Sequence, residues 1–594
     1  MINKNKMKKI FCLLFGFSLT YFSVNAQSID TARFHLNFRP TITIPQKINQ
    51  QAKISDTVSN KVEFNYYITP QRLDLTFKPS EIKAAKMTPD VMKRLYRNFI
   101  KVGFGYPVTP LFELALHNPD NSKYSYGLNV HHFSSWLPPI GKQMKQYPYF
   151  PTSDTRVHLF FTRFFKSQTL YSSIGYNHEY ANLYGYKKDA ITYLPDYERY
   201  FDKSYRDSIN NSFHHVKAEV GLRSNYVLED RRLKQDVRLN YDFIRTYKKD
   251  IEHHIGMKSY FAYDARFMKI SGSQNYKMGF DIDFYNNNWN DTILGGDKRI
   301  DNSVKVEFRP TVNFTIKEYH FLFGIGVPIL HSYGGTNVPI YPIAEIQLGL
   351  IPGIMSLYGG VNGYSKFNSL QNLLYENPYV KPQLDTLKFT YAHINVYAGI
   401  KGNLVKKLNY HISAQYSFDK NNHFYMLDTT SVLRNRFDVI YRDVNTLNVC
   451  VNLNWEVIDQ LYLNLEGNYW LHNFPHVTDS IQERAWYKPS WEVAFGGKYV
   501  FRQKMIFSMN FNLQFGRWAL VPNMENHFTP QKMSPILDFG IGFEYLFTER
   551  FSAFARINNI ACQPYAKYYD FRSFGINALA GVTFSFGNEN LKRR

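Results

Sequence analysis

The sequence predicts an all-β fold: a transmembrane antiparallel β-barrel of about 22 strands behind a short, mostly irregular N-terminal segment. Three observations carry this. Segments of about ten residues or more alternate apolar and polar side chains along most of the chain, and a period of two sends alternate side chains to opposite faces of a strand. Short and long connections take turns between these segments, as periplasmic turns and extracellular loops do in an outer-membrane barrel. The aromatic load is heavy, with 49 Phe, 46 Tyr and 7 Trp, and such barrels carry aromatic girdles at both membrane–water interfaces.

Residues 1–26 read as a secretory signal. Lys4, Lys6, Lys8 and Lys9 form a basic region, Ile10 to Phe22 an apolar run, and Val24-Asn25-Ala26 a small-residue cleavage site, so cleavage is expected between Ala26 and Gln27. The apolar run is too short to span a bilayer comfortably. Residues 27–97 come next, with Pro40, Pro45, Pro70, Pro79 and Pro89, polar tracts and no sustained alternation. Extended polypeptide in the periplasm or the lumen is the expectation there.

The barrel is expected over 98–586, with a tail at 587–594. Leu447 to Val457 sets Leu447, Val449, Val451, Leu453, Trp455 and Val457 against Asn448, Asn452, Asn454 and Glu456. Leu461 to Tyr469, Met505 to Gly516 and Leu537 to Phe547 repeat the pattern. Tight turns are read at 166–168, 459–460, 503–504 and 549–550. Long loops are read at 135–154, 181–212, 287–301, 364–388, 419–444, 473–490 and 518–534, while strand limits within 245–345 are the least distinct. In Phe574 to Phe586, Phe574, Ile576, Ala578, Ala580, Val582, Phe584 and Phe586 share one face.

The formal charge is +21, falling to +17 with the four signal lysines removed. The basic residues are scattered rather than gathered on one element, so outer-membrane lipid or acidic ligands are the expected partners, and nucleic acid is not. Cys450 and Cys562 are expected as free thiols. Glu456, Glu466, Lys498, Asp538 and Glu544 fall on lumenal positions, as a binding surface or as internal ion pairs. The loops from Ile140 and from Tyr184 mix Tyr with Lys and Arg, a composition suited to ligand capture or to interfacial anchoring. The pairs His131-His132, His214-His215 and His253-His254 cannot chelate a metal alone, because neighbours on a strand diverge. No G-x-S-x-G elbow, H-E-x-x-H or phosphate-binding glycine loop occurs, so no enzyme, no catalytic or metal site and no cofactor is read from the sequence.

The final strand resembles the sorting signal of outer-membrane barrels: Gly581 is followed by the alternating aromatics Phe584 and Phe586. The resemblance implies insertion by the outer-membrane assembly machinery. The opening of the barrel, Lys101-Val102-Gly103-Phe104-Gly105 through Tyr126-Gly127 to His132-Phe133-Ser134-Ser135, resembles a group of Bacteroidota outer-membrane proteins whose barrels are similar to those of TonB-dependent receptors. In layout the resemblance covers roughly 62–586, and it implies a transport or receptor role. One departure stands out. Those transporters carry a plug of well over a hundred residues ahead of the barrel, against about 70 here, and the nearest match to an energy-coupling box is Thr41 to Pro45. A lumen of about 22 strands needs plugging, which implies obstruction by residues 27–97, by inward-folding loops or by a plug-like periplasmic partner. The alternative role is a non-transporting barrel that anchors a surface or secretion complex.

Overall fold

The computed structural model describes residues 96–588 except 119–122, 137–145, 149–150, 203–204, 206, 226–232, 269–271, 291–297, 406, 476–483, 523–526 and 574. The signal with its cleavage point at Ala26 and Gln27, residues 27–95, Phe574 and the tail beyond 588 therefore lie outside the described residues. No described helix is long and apolar enough to cross a membrane.

Twenty-two strands form one closed antiparallel sheet. Each pairs with the next in sequence, and the circuit closes where the first, Tyr96–Tyr106, pairs with the last, Asn577–Asn588. A three-residue strand, Gly335–Asn337, pairs only with Tyr319–Ser332 and stands outside the circuit. Closure leaves no unpaired sheet edge, which is what hydrocarbon demands of a spanning sheet. The apolar faces read from the sequence point outward. Phe507, Met509, Leu537, Phe539, Ile541, Phe543 and Phe584 are each more than a third exposed, as side chains bathed by lipid are.

Short connections collect at one end: 165–167, 317–318, 352–354, 459–460, 502–504 and 547–550. That end, where the first strand starts and the last finishes, is the periplasmic one by the rule that its turns are short. An aromatic belt runs beside it. The rings of Phe507 and Phe543 lie 5.1 Å apart, those of Tyr545 and Phe547 4.8 Å, and those of Phe547 and Phe551 5.6 Å.

Gly581 lies at the closing seam, opposite Gly103. A Cβ on Gly581 would stand 2.1 Å from the Val102 carbonyl oxygen and 2.7 Å from the Phe554 ring, so only glycine fits. Phe584, paired with Ile100 across the seam and with Phe551 on its other side, faces lipid and stacks against Phe586 at 6.0 Å.

The chain departs from the expected layout in the region 419–444. Instead of a loop, strands Leu408–Leu427 and Phe437–Ile458 stay paired to their tips, at 20 and 22 residues, with a register shift between Asp419 and Asn422. Two strands need only about ten residues each to cross a bilayer. Above the lipid neither face need be apolar, so alternation disappears while the ladder continues. For the same reason 287–301 shrinks to a connection at 290–298, and 364–388 begins only at 368. Within 518–534 lies a small hairpin, Trp518–Pro522 with Phe528–Lys532.

Candidate functional site

At the end of the barrel opposite the short turns, the long connections turn inward and pack on one another. Ser369 caps the helix Leu370–Glu376, its side chain accepting the Asn372 backbone N–H at 3.2 Å. Leu370, Leu373 and Leu374, on one face by their spacing, are all buried. The two leading N–H groups of the helix, on Leu370 and Gln371, donate to the carboxylate of Glu252 at 2.7 and 3.3 Å, and the Asn287 amide donates to it at 2.7 Å. A carboxylate here satisfies donors that have no partner inside the helix and complements its dipole.

The other end of the helix reaches different walls. The Tyr375 hydroxyl lies 2.9 Å from His215 Nδ1, on the sixth strand of the circuit. Glu376 lies 2.7 Å from His423 Nε2, on the fifteenth. Adjacent residues thus touch walls nine strands apart, which puts the helix across the lumen rather than on its rim. Its last carbonyl, of Glu376, accepts the Tyr568 hydroxyl at 2.8 Å.

Around this helix six connections share one apolar core. Tyr147 comes from 136–151, Tyr184 from 181–212, Leu373, Val380 and Leu384 from 368–388, Trp486 and Tyr487 from 474–490, Leu520 from 516–535, and Tyr568 and Phe571 from 559–576. Phe571 stacks on Tyr379 at 3.8 Å and meets Tyr184 edge-on at 5.1 Å. Backbone and polar bonds fix the seams. Asn211 donates to the carbonyls of Pro378 and Val380 at 2.7 and 3.1 Å, and the buried Arg517 donates to those of Ala566, Lys567 and Ser534 at 2.8–2.9 Å. Each large apolar side chain buried this way contributes about 1.5–3 kcal/mol. Loops held so are a lid, and its core runs on into the strand tips at Phe213, Trp289, Tyr425 and Phe437.

Two clefts open between these loops, of about 620 and 680 Å³, sharing Lys187, Tyr569 and Asp570. The first is lined by Lys532, Gln563, Tyr565 and Arg572, the second by Tyr186, Ile191, Leu433 and Val521. Lys187 and Asp570 pair at 2.6 Å on their common wall.

The five lumenal residues read from the sequence do not converge on one site. Glu456 pairs with Lys407 at 2.9 Å beside a short turn. Glu466 accepts from Asn468 at 3.3 Å and Glu544 from Ser552 at 2.7 Å. Lys498 sits in register between Tyr462 and Ser508. Asp538 alone joins the lid, accepting the Tyr565 hydroxyl at 2.9 Å and the Asn559 N–H at 3.1 Å.

The histidine pairs split as strand geometry requires. His215 and His254 join a lumenal chain with Asp242 and Asp283 (3.1, 3.2 and 2.9 Å), while His214 and His253 turn away to Tyr176 and Tyr241. Among the described residues no group of three or more His, Cys, Asp or Glu is placed to hold a metal. Cys450 and Cys562 are free thiols.

Glu252, His423 and the lid helix escaped the sequence reading. The helix carried a signal, since Ser369 precedes leucines at spacings of three and four. Glu252 carried none, because its helix partners, Leu370 and Gln371, lie more than a hundred residues away.

Two carboxyls tune the lid in opposite directions. Asp250, in the turn 247–250, is buried and receives the N–H groups of Asn290 and Gln383. Burial pushes its carboxyl up to about 6 from the usual 3.8, with those N–H groups only partly opposing. Glu376 is partly buried, which would raise its carboxyl. The hydrogen bond from His423, aided by the charges of His423, Lys488 and Lys366, more than offsets this and holds it at about 2. Stability from Glu376 is therefore full above pH about 4.5 and fades as the pH falls towards 2, by about 1 kcal/mol because its side chain meets solvent. The Asp250 contribution is full below pH about 4 and is lost as the pH rises through 6, by about 2–3 kcal/mol. Protease resistance of the lid should peak near pH 4–5. Asp250→Asn should flatten the alkaline limb, and an unchanged limb would refute the assignment.

No protein-family model matches the chain, and no curated protein does. Solved structures do. The chain is similar to the siderophore receptor PirA from Acinetobacter baumannii, at 11% identity over 82% of this chain and 80% of that one, with a TM-score of 0.60. It is similar to FpvA of P. aeruginosa, solved bound to heterologous pyoverdines, at 11% identity, 83% and 72% coverage and a TM-score of 0.61. The ferric enterobactin receptor PfeA of Pseudomonas aeruginosa matches at 11% identity, 82% and 80% coverage and a TM-score of 0.58. The likeness is one of fold. This chain folds as a closed barrel like theirs.

Proposed function

We infer that the chain is an outer-membrane receptor or transport barrel, similar in its barrel to TonB-dependent receptors, whose extracellular mouth is closed by its own loops. The observation that carries this reading is the helix Leu370–Glu376, held across the lumen by Glu252, His215 and His423 and roofed by a shared core. Ligand capture begins in the clefts beside Lys187 and Asp570, where Tyr565 and Tyr569 lie near Lys532 and Arg572. Rearrangement of the lid then admits the solute to the polar lumen. The chemistry is binding and passage rather than catalysis.

The remaining parts fit this role. A signal cleaved between Ala26 and Gln27 delivers the chain for export, and Gly581, Phe584 and Phe586 present the handle for the assembly machinery. Residues 27–97 serve in the periplasm or the lumen, with or without a plug-like partner protein, in place of a full plug domain. In planar bilayers the intact chain should stay closed, and a variant with 370–388 replaced by a short Gly-Ser linker should conduct. A large steady conductance from the intact chain would refute the reading.

A second reading has one observation in its favour: the lid core is as fully buried as a domain interior, as suits a barrel that never opens and anchors a surface or secretion complex. Such a barrel co-purifies with partners in fixed stoichiometry, and its deletion strips them from the surface. A transporter shows ligand-dependent growth loss instead, and TonB dependence if energised.

A further inference from the structure

On the lipid face, between strands Leu461–Asn473 and Phe551–Asn558, the barrel wall is dented. The hollow measures about 430 Å³ and is lined by Gly497, Tyr499, Phe507, Ile541, Phe543 and Ala555. Gly497 makes its floor: a Cβ there would stand 2.7 Å from the Met509 Cε and 3.4 Å from the Leu463 Cδ2. In register, Tyr499 pairs with Phe507, Phe507 with Phe543 and Phe543 with Ala555, so an aromatic ridge falls away to a single methyl. A flat barrel exterior offers lipid no such groove.

The polar rim lies just below. Strands Trp491–Phe501 and Met505–Phe515 are joined by the turn 502–504, closed by the Lys504 N–H donating to the Phe501 carbonyl at 3.1 Å. Arg502 and Gln503 hold φ of 48° and 57°, the left-handed pair of a type I′ turn, where Asn or Gly is the cheaper choice. The turn thus carries strain that displays an arginine at its tip. Arg502 and Lys504 are exposed, and among the described residues neither joins an ion pair. Phe507 is three residues above Lys504, and Tyr499 three above Arg502, so the groove begins roughly 10 Å above the basic pair at about 3.4 Å per residue. The long Arg and Lys side chains shorten that gap by reaching up towards a phosphate.

We propose that this hollow and turn form a binding site for one anionic phospholipid of the inner, periplasmic leaflet, its acyl chain along Gly497 and its phosphate on Arg502 and Lys504. The occupant is a phospholipid because the groove opens only to hydrocarbon. It is anionic because the turn beneath the groove displays two exposed cations, Arg502 and Lys504, and the next turn adds Arg550 beside Glu549, leaving the rim net positive.

The test is native mass spectrometry of the detergent-purified full chain, given phosphatidylglycerol and phosphatidylcholine of the same acyl composition. The intact chain should retain phosphatidylglycerol in preference. Arg502→Ala with Lys504→Ala should reduce that preference roughly tenfold or more while leaving the apolar groove in place. Gly497→Leu fills the groove and should abolish retention of both lipids, whereas Ala398→Leu, on lipid-facing wall elsewhere, should leave it unchanged. Equal retention of the two lipids by the intact chain overturns the proposal, as does unchanged preference in the turn variant. Full retention with the groove filled places the lipid elsewhere and overturns it as well. The turn variant lies outside the packed wall, so a folding failure in Gly497→Leu leaves the test decisive.

Discussion

Glu252→Ala frees the helix Leu370–Glu376 from the barrel wall, with the largest effect expected of any single polar change. The carboxylate takes three hydrogen bonds, from Leu370, Gln371 and Asn287, at a site 1% exposed. Removing it leaves two helix N–H groups and an amide buried without an acceptor. Hydrogen bonds to a charged group contribute about 1.5–3 kcal/mol, and stranded buried donors cost about 1–3 kcal/mol more. Part of this is returned because a desolvated charge disappears, leaving about 3 kcal/mol against the lid. Hydrogen exchange should read this as roughly a hundredfold faster opening of 370–376, with the barrel strands unchanged. Unchanged exchange would mean that Glu252 holds nothing.

Phe571→Ala should cost more, about 3–5 kcal/mol. Its ring is 2% exposed, stacks on Tyr379 at 3.8 Å, and meets Tyr184 at 5.1 Å and Phe437 at 5.7 Å, so two lid connections and the tip of one barrel strand lose a common contact. Aromatic pairs add about 0.5–1.5 kcal/mol beyond their buried area. Two of these three partners lie on loops and the third at the far tip of a strand, so the loss should fall mainly on the lid. Limited proteolysis at 181–212 and 368–388 should accelerate while heat-resistant migration of the barrel persists. A variant that loses the barrel itself would show the core to be part of the wall.

The wall was legible in the sequence because lipid imposes one face on every strand. Phe507, Leu513 and Phe539 stand at alternate positions for that reason, and 22 closed strands follow. Where lipid ends, the constraint ends with it. The paired tips at Asp419 to Leu427 and Phe437 to Asp443 carry Asn, Asp and Lys on both faces, and so read as loop. The lid was legible only in composition, as long aromatic connections. Its organising contacts, Glu252 to Leu370 and Tyr147 to Asp570, span 118 and 423 residues, and no local period records a partner that far away. The predicted lumenal charges show the same limit. Alternation assigns a face to Glu466 or Lys498 but not what stands opposite, and of the five only Asp538 bonds to the lid.

The most direct measurement uses the two native thiols. Cys562 is exposed on an outer connection, and Cys450 faces the lumen on the strand Phe437–Ile458, beside Asn452 at 3.2 Å. A bulky, membrane-impermeant maleimide is added to intact cells, with Cys562→Ser used to isolate Cys450. A mouth closed by its own loops predicts prompt labelling at Cys562, protection of Cys450, and labelling of Cys450 once 370–388 is replaced by a short linker. Labelling of Cys450 in the intact chain at the rate seen for Cys562 would contradict it.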